Sequence, residues 1–334
     1  MPFNCFTSIE AKHEQDLKTP SSRNMSVIRP SFRAEPLYVI LPYFNYCKYQ
    51  NRIKLFLQFI KRIYSTCRIE IVVVEGSNPK TNKFDLPDLS DKIFLHIRVA
   101  LKDTIWVKEN LINIAIRKLP SDWNYVAWVD ADLTFTNETW AIDTIQSLKT
   151  NDVVQMFTSA CYMDQNCDII KYDKGFVYQY LESGKEYNAK YKYGFWHPGF
   201  AWACTRKAYN QMGSLVDYAI LGSGDRHMAL AFIQKVEYSH PMSIHLNYQQ
   251  KLYDFQKRCT GLKINYIKGS VLHHYHGTIA NRQYQDRWAI LTNNQYNPSK
   301  DIEYHENGLI KLTEVGKRLE PFIMKYFLKR KEDE

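Results

Sequence analysis

Leu37-Tyr38-Val39-Ile40-Leu41-Pro42 and Ile69-Glu70-Ile71-Val72-Val73-Val74 are two apolar, largely β-branched runs, and between them Ile53, Phe56, Leu57, Ile60 and Tyr64 recur at helical spacing. A short apolar run closed by proline or glycine chemistry reads as a buried strand, and recurrence every three to four residues as one face of a helix. Strand, helix, strand with all-apolar strands is the pattern of a parallel sheet covered by its own crossover helices. Working outward, Ile93–Val99 is expected to be a third strand, and Trp106–Lys118 a helix with Leu111, Ile114 and Ala115 on one face. Trp140–Leu148 reads as a further helix and Val153–Phe157 as a further strand. The expected class is α/β, a Rossmann-like, mostly parallel sheet flanked by helices, in one large domain.

The run Tyr125-Val126-Ala127-Trp128-Val129-Asp130-Ala131-Asp132 has the same strand character but ends in two carboxylates two positions apart. Beyond the end of a strand both can aim into the crevice at the carboxyl edge of the sheet, where open α/β sheets bind ligands. Two close carboxylates repel each other unless a cation lies between them. A hard ion such as Mg²⁺ or Mn²⁺ takes one or two carboxylates and completes its shell with water and ligand phosphates. A lone Asp-x-Asp is also what a polar strand exit looks like, with Asp132 or Asn137 capping the next element. Glu75, at the end of the second strand, belongs to the same edge, as a ligand contact or as the acid that opens the turn at Gly76. Lys108, with Asn110 and Asn113, stands near a helix start, where a phosphate or plain solvent would suit it.

The second half adds three constellations. Phe195-Trp196-His197-Pro198-Gly199-Phe200-Ala201-Trp202-Ala203 mixes aromatics with turn chemistry and suits a sugar or base platform or a buried turn. Leu221-Gly222-Ser223-Gly224-Asp225 carries an acid to a helix start, as a cap or as a general base for an acceptor hydroxyl. Val271-Leu272-His273-His274-Tyr275-His276-Gly277 holds three histidines in four residues, a transition-metal signature. Strand alternation would put His274 and His276 on one face and His273 on the other. Arg282 and Arg287 follow, as a diphosphate clamp or as a solvated helix face. Asp164–Lys192, polar and tyrosine-rich, reads as a long loop or short irregular helices over the cleft. Asn307–Tyr326 has helical spacing, and Lys329–Glu334 reads as a solvated tail.

Composition bounds the partners. The 334 residues are 45% hydrophobic and 24% charged, ordinary for a globular chain, and the formal charge of +9 favours an anionic partner. Seven scattered cysteines without a Cys-x-x-Cys pair argue for reduced thiols and against a zinc ribbon. No apolar run reaches the roughly 18 residues a membrane span needs, and no signal-peptide core is visible, so the expectation is a soluble cytoplasmic enzyme. Neither a phosphate-binding glycine-lysine loop nor a dinucleotide fingerprint is present, which disfavours kinases and dehydrogenases.

The ordered set Pro42-Tyr43-Phe44-Asn45, Val74-Glu75-Gly76-Ser77, Val129-Asp130-Ala131-Asp132, Pro-Gly-Phe-Ala, Gly-x-Gly-Asp and a late His-Gly resembles the nucleotide-sugar glycosyltransferases of the GT-A fold, family-2-like group. The resemblance spans about residues 36–300. It implies a nucleotide-sugar-binding half over 36–157 and an acceptor and catalytic half over 158–300; residues 1–35, of mixed charge and without period, read as a loosely ordered lead-in, and 301–334 as a C-terminal helix and tail. It further implies Pro42, Glu75 and Asp130 at the donor, Asp130, Asp132 and His276 at Mn²⁺ or Mg²⁺, and Asp225 as base; Lys108 and Arg282, read above as phosphate contacts, complete the expected donor site. Family members often carry Asp at the position of Glu75 and an acidic pair at Gly224-Asp225. The implied acceptor is a hydroxyl of a glycan, a protein or a hydroxylated DNA base. The same carboxylates would also serve a nucleotidyltransferase or nuclease, and an inactive sugar-binding module would keep the fold without turnover.

Overall fold

The computed structural model describes residues 35–187, 196–278, 280–283 and 286–334. All but the last residue of the lead-in read over 1–35, residues 188–192 of the tyrosine-rich segment, and Phe195, Tyr284 and Gln285 lie outside them.

The first strand and helix are β1 (Leu37–Tyr43) and α1 (Gln50–Ile63), followed by β2 (Ile69–Gly76), β3 (Leu95–Val99), α2 (Lys108–Ile116) and β4 (Tyr125–Val129). Then come β5 (Leu133–Phe135), α3 (Trp140–Leu148), β6 (Val153–Gln155), β7 (Ser159–Met163), β8 (Ile169–Gly175) and α4 (Phe176–Glu182). The chain continues through β9 (Trp196–His197), β10 (Ala201–Thr205), α5 (Arg206–Met212), α6 (Gly224–Phe232), α7 (Leu246–Arg258), β11 (Ile264–Tyr266) and β12 (Ser270–His273). Last are α8 (Asp286–Asn293), α9 (Pro298–Asp301), β13 (Ile302–Tyr304), β14 (Ile310–Leu312) and α10 (Glu320–Lys329).

Seven strands form the main sheet in the order β11-β6-β10-β4-β1-β2-β3. All neighbours run parallel except β10, which is antiparallel to both β4 and β6. Because successive strand residues face opposite sides, the strands divide their apolar side chains between two cores. Ile40, Val72, Val74, Val126, Trp128 and Trp202 pack with α2, α6 and α7 on one face. Leu41, Val73, Ala127, Val129, Ala201 and Ala203 pack with α1 and α3 on the other. The expected α/β class and mostly parallel sheet are what the structure holds. A second sheet, β5-β12-β7-β8-β9, lies beyond the carboxyl edge, and β13 and β14 pair as a hairpin.

Three expectations are corrected. Residues 169–175 are a strand rather than loop, paired with β7 and β9, its side chains mostly exposed and polar, so the apolar alternation that marks a strand is missing. Residues 310–312 are a strand and the final helix begins only at Glu320, so the spacing across Asn307–Tyr326 is not one helix. The tail is not solvated either: Arg330 and Glu332 are buried, and Asp333 accepts the Gln50 and Asn51 backbone N–H groups at the start of α1, which has no cap from its own Tyr49.

Candidate active site

Strand β4 ends at Val129, and the Asp130 N–H donates to the Phe200 carbonyl at 2.8 Å, which turns the Asp130 side chain into the crevice beside the start of α2. Every residue of α2 is buried, Lys108 included. The Lys108 Nζ lies 2.6 Å from Asp130 Oδ1 and 3.0 Å from Asp225 Oδ2, so one ammonium joins the strand end to the first turn of α6. Burial alone would lower the Lys108 pKa, but Asp130, Asp225 and Glu109 hold it well above the ordinary range. Burial pushes the Asp130 carboxyl up to about 6 against the pull of Lys108. Ser223 and Gly222 precede α6 with φ of 81° and 85°, a left-handed entry that delivers Asp225 at the helix start as expected.

Asp132 meets different partners. Its Oδ2 is 2.8 Å from His276 Nε2 and 3.6 Å from His273 Nε2, and its backbone carbonyl accepts the His274 N–H. Strand alternation does not continue through the histidines, because β12 stops at His273 and the chain turns toward Gly277. His273 and His276 therefore converge, while His274 Nε2 faces Thr134 Oγ1 at 2.8 Å. Burial works against an ionised Asp132, yet the two histidines hold its carboxyl well below the usual range. Burial lowers His273 to about 4, so near neutral pH its imidazole is uncharged and able to ligate.

Asp132, His273 and His276 bring one ligand atom each to within 4.8 Å of one another, and Asp132 Oδ1 is buried without a hydrogen-bond partner among the described residues. This donor set fits a divalent cation, and two imidazoles beside one carboxylate suit Mn²⁺ better than Mg²⁺. Arg282 Nη2 lies 2.8 Å from His276 Nε2 and 3.1 Å from His273 Nε2, a cation at the nitrogens a metal would take. On the far side of His276, Nδ1 is 3.5 Å from Glu332 Oε2, and Glu332 also pairs with Arg52 and Arg330.

Two cavities meet at this point. The smaller is lined by Pro42, Arg52, Asp132 and His276, and a larger one of about 320 Å³ by Tyr162, Trp196, Phe200, Asp225 and Arg287. Trp106, Lys108, Asp130, Arg282 and Arg330 line both. The structure thus brings Pro42, Lys108, Asp130, Asp132, Asp225, His276 and Arg282 to one cleft. Asp130 sits on Lys108 and outside the three-residue metal-ligating cluster. Glu75 is not a lining residue: it is fully buried, its Oε1 accepts the backbone N–H groups of Asp85 and Leu86, and it props that loop. Of the aromatic turn, Trp196 and Phe200 face the larger cavity while Trp202 is core.

Four contributors escaped the sequence reading: His273, Glu109, Arg330 and Glu332. His273 lay in the flagged histidine run, but alternation sent it to the wrong face. Burial, with the Asp225 charge adding to it, raises the Glu109 carboxyl to about 8. Its only trace in the sequence is Gly224, where a Cβ would stand 2.4 Å from Glu109 Oε1.

No protein-family model matches the chain, and no curated protein does. Solved structures do. A mannosyltransferase from Pyrobaculum calidifontis, in complex with GDP-Man and Mn²⁺, matches with 13% identity and a TM-score of 0.44 over 89% of this chain and 74% of its own. The catalytic domain of Drosophila β1,4-galactosyltransferase 7, in complex with xylobiose, matches with 11% identity and a TM-score of 0.41 over 86% of this chain and 98% of its own. Residues 1–349 of TarS from S. aureus, in complex with UDP, match with 12% identity and a TM-score of 0.41 over 72% and 61%. The likeness is one of fold. Among the described residues no helix is long and apolar enough to cross a membrane.

Proposed function

We propose that the chain is a metal-dependent glycosyltransferase that moves a sugar from a nucleotide-sugar donor to an acceptor hydroxyl. One observation carries the reading. A carboxylate–imidazole cluster and a helix-borne Asp225 stand on opposite sides of a junction formed by Asp130, Lys108, Arg282 and Arg330, with a separate cavity behind each. The smaller cavity takes the nucleoside diphosphate and the larger takes the acceptor, so the anomeric carbon sits near Asp130 and Lys108.

Asp132, His273 and His276 would hold the divalent cation, which when bound supplies Lewis-acid stabilisation of charge on the leaving diphosphate. Arg282 and Arg330 face that same diphosphate with guanidinium groups, the side chain best matched to phosphate oxygens. Asp225 accepts the acceptor hydroxyl proton as the new O–C bond forms and the C–O bond to phosphate breaks, its electron pair leaving with the diphosphate. Lys108 ties Asp225 to Asp130 and so fixes the distance between base and donor. Asp130, which stays on Lys108, contacts the donor sugar or ribose rather than the cation.

Thermal denaturation with UDP-, GDP-, CMP- and dTDP-linked sugars, with and without Mn²⁺, tests this directly. A ligand that binds only the native state raises the melting temperature by mass action, by an amount that grows as its concentration exceeds Kd. A Mn²⁺-dependent rise with one nucleotide class is expected. No rise with any donor in folded protein, or cleavage of DNA with Mn²⁺ and no donor, overturns the reading.

A further inference from the structure

Glu109 has no part in the chemistry above, yet it lies in the first turn of α2 at 3% exposure and lines the larger cavity together with Asp225. Its Oε2 accepts the indole N–H of Trp106 at 3.2 Å, and its Oε1 reaches the spot that a side chain at position 224 would fill. A glycine there makes the carboxyl's approach to the site possible.

Three carboxyls, Asp130, Asp225 and Glu109, surround one buried ammonium. Lys108 bonds the first two, and no cation is bonded to Glu109 among the described residues. If ionised, Glu109 would be a buried charge with no cation bonded to it, whereas Asp130 and Asp225 are partly exposed and share Lys108. The group without a cationic bond is the one that retains its proton. The charged and titratable groups around it and along the same cavity include Lys108 on its own helix, Asp225 and Arg226 on α6, Asp130 after β4, Lys171 and Asp173 on β8, Tyr248 on α7, Arg282 after β12, Arg287 on α8 and Arg330 after α10. Arg287 donates to the Leu221 carbonyl and Arg330 is paired with Glu332. Asp225 Oδ1, by contrast, is buried with no hydrogen-bond partner among the described residues.

We propose that Glu109 is a specificity residue: a neutral, proton-donating carboxyl that holds a second hydroxyl of the acceptor beside the one facing Asp225, so that the acceptor is an uncharged ring carrying neighbouring hydroxyls. The remaining walls agree with that class. Trp106, Tyr162, Trp196 and Phe200 offer apolar faces to the C–H side of such a ring, and Glu109 and Asp225 address its hydroxyl edge as donor and acceptor. The placement of the acceptor rests on the glycosyltransferase reading. The protonation of Glu109 does not.

The Trp106 indole N–H reports on Glu109 through their hydrogen bond. In ¹H–¹⁵N spectra of the full chain, with the signal assigned by its loss in Trp106→Phe, it should shift with a midpoint in the mildly alkaline range, and Glu109→Gln should abolish that titration. Because the folded protein favours the protonated form, stability should fall as pH rises from the ordinary glutamate range through that midpoint. Glu109→Gln should therefore melt at least as high as wild type near about pH 9, well above the ordinary carboxyl range. Methyl β-D-xylopyranoside, methyl β-D-galactopyranoside and methyl α-D-mannopyranoside serve as acceptor probes, with glucose 6-phosphate as the charged control. At least one glycoside should perturb the Trp106 signal, binding about tenfold more weakly at alkaline pH, a difference of about 1.4 kcal/mol. That pH dependence should be absent in Glu109→Gln. A flat Trp106 titration overturns the proposal. So does a preference for the phosphate, or a pH dependence of glycoside binding that Glu109→Gln leaves intact. If Trp106 titrates and glycosides bind but no donor raises the melting temperature with Mn²⁺, the glycosyltransferase reading fails and the assignment of Glu109 stands.

Discussion

Asp130 and Asp132 are two residues apart in the chain and face opposite electrostatic environments. Asp130 shares a buried ammonium with Asp225, and burial raises its carboxyl to about 6. Asp132 shares two imidazoles and a neighbouring guanidinium, and its carboxyl is held well below the usual range. Spacing alone treats the two as a matched pair for one cation. Their partners, supplied by α2 for one and by β12 and the turn after it for the other, divide them, and in the proposed function Asp130 serves a charge relay toward the acceptor side and Asp132 a metal seat on the donor side.

The largest effect should come from the seat itself. Asp132→Asn is expected to reduce metal-dependent transfer by at least about a hundredfold, the scale of losing one electrostatic stabiliser, whereas Asp130→Asn should leave Mn²⁺ affinity near wild type. Equal loss of Mn²⁺ affinity in both, measured by calorimetry, breaks the comparison. Next is Asp225→Asn, for which turnover should fall by about 10²–10⁴ while the donor still raises the melting temperature. Near-normal turnover removes Asp225 as base. On the relay side, Lys108→Met leaves two half-buried carboxylates without their cation and should cost less than the about 3–5 kcal/mol of a fully buried pair, read from the urea midpoint at neutral pH.

Acid sharpens the contrast further. His273 has a folded pKa of about 4, below its ordinary 6.5, so the unfolded chain binds more protons between those values and stability falls as pH drops from about 6.5 to about 4. The loss should reach about 2–3 kcal/mol for this residue and shrink in His273→Gln. The smallest effect is expected for Glu332→Gln, which loosens the far side of His276 and should weaken Mn²⁺ binding by about 10–100-fold. Unchanged affinity would mean that Glu332 serves only Arg52 and Arg330.

The core of the fold was readable because β1, β2 and β4 are buried on both faces and therefore almost wholly apolar. Among the strands that went unseen, β8 is exposed on one side and β14 is very short, whereas β7 and β10 are buried but carry Ser, Ala and Cys in place of a β-branched run. Within the site, Asp130, Asp132, Asp225 and His276 were legible as side chains placed at element ends. The antiparallel course of β10 and the convergence of His273 with His276 depend on where strands pair and stop, which no local pattern records. Glu75 shows the reverse error, since a carboxylate at the right edge was spent on backbone N–H groups of the loop at Asp85 and Leu86. Glu109 and Glu332 were invisible because partners that matter to them come from distant parts of the chain, Asp225 for the first and Arg52 and His276 for the second.

The segment at 330–333 has a consequence for the order of assembly. Asp333 supplies the start of α1, some 280 positions earlier, and Glu332 backs His276, while Gly277, with φ of 85°, leaves room for the Lys331 carbonyl that a Cβ would meet at 2.9 Å. Helix α1 and the histidine turn are made before the residues that fasten them, so the sheet can pair while the cleft is still open, and docking of 330–333 onto α1 joins distant parts of the chain around it.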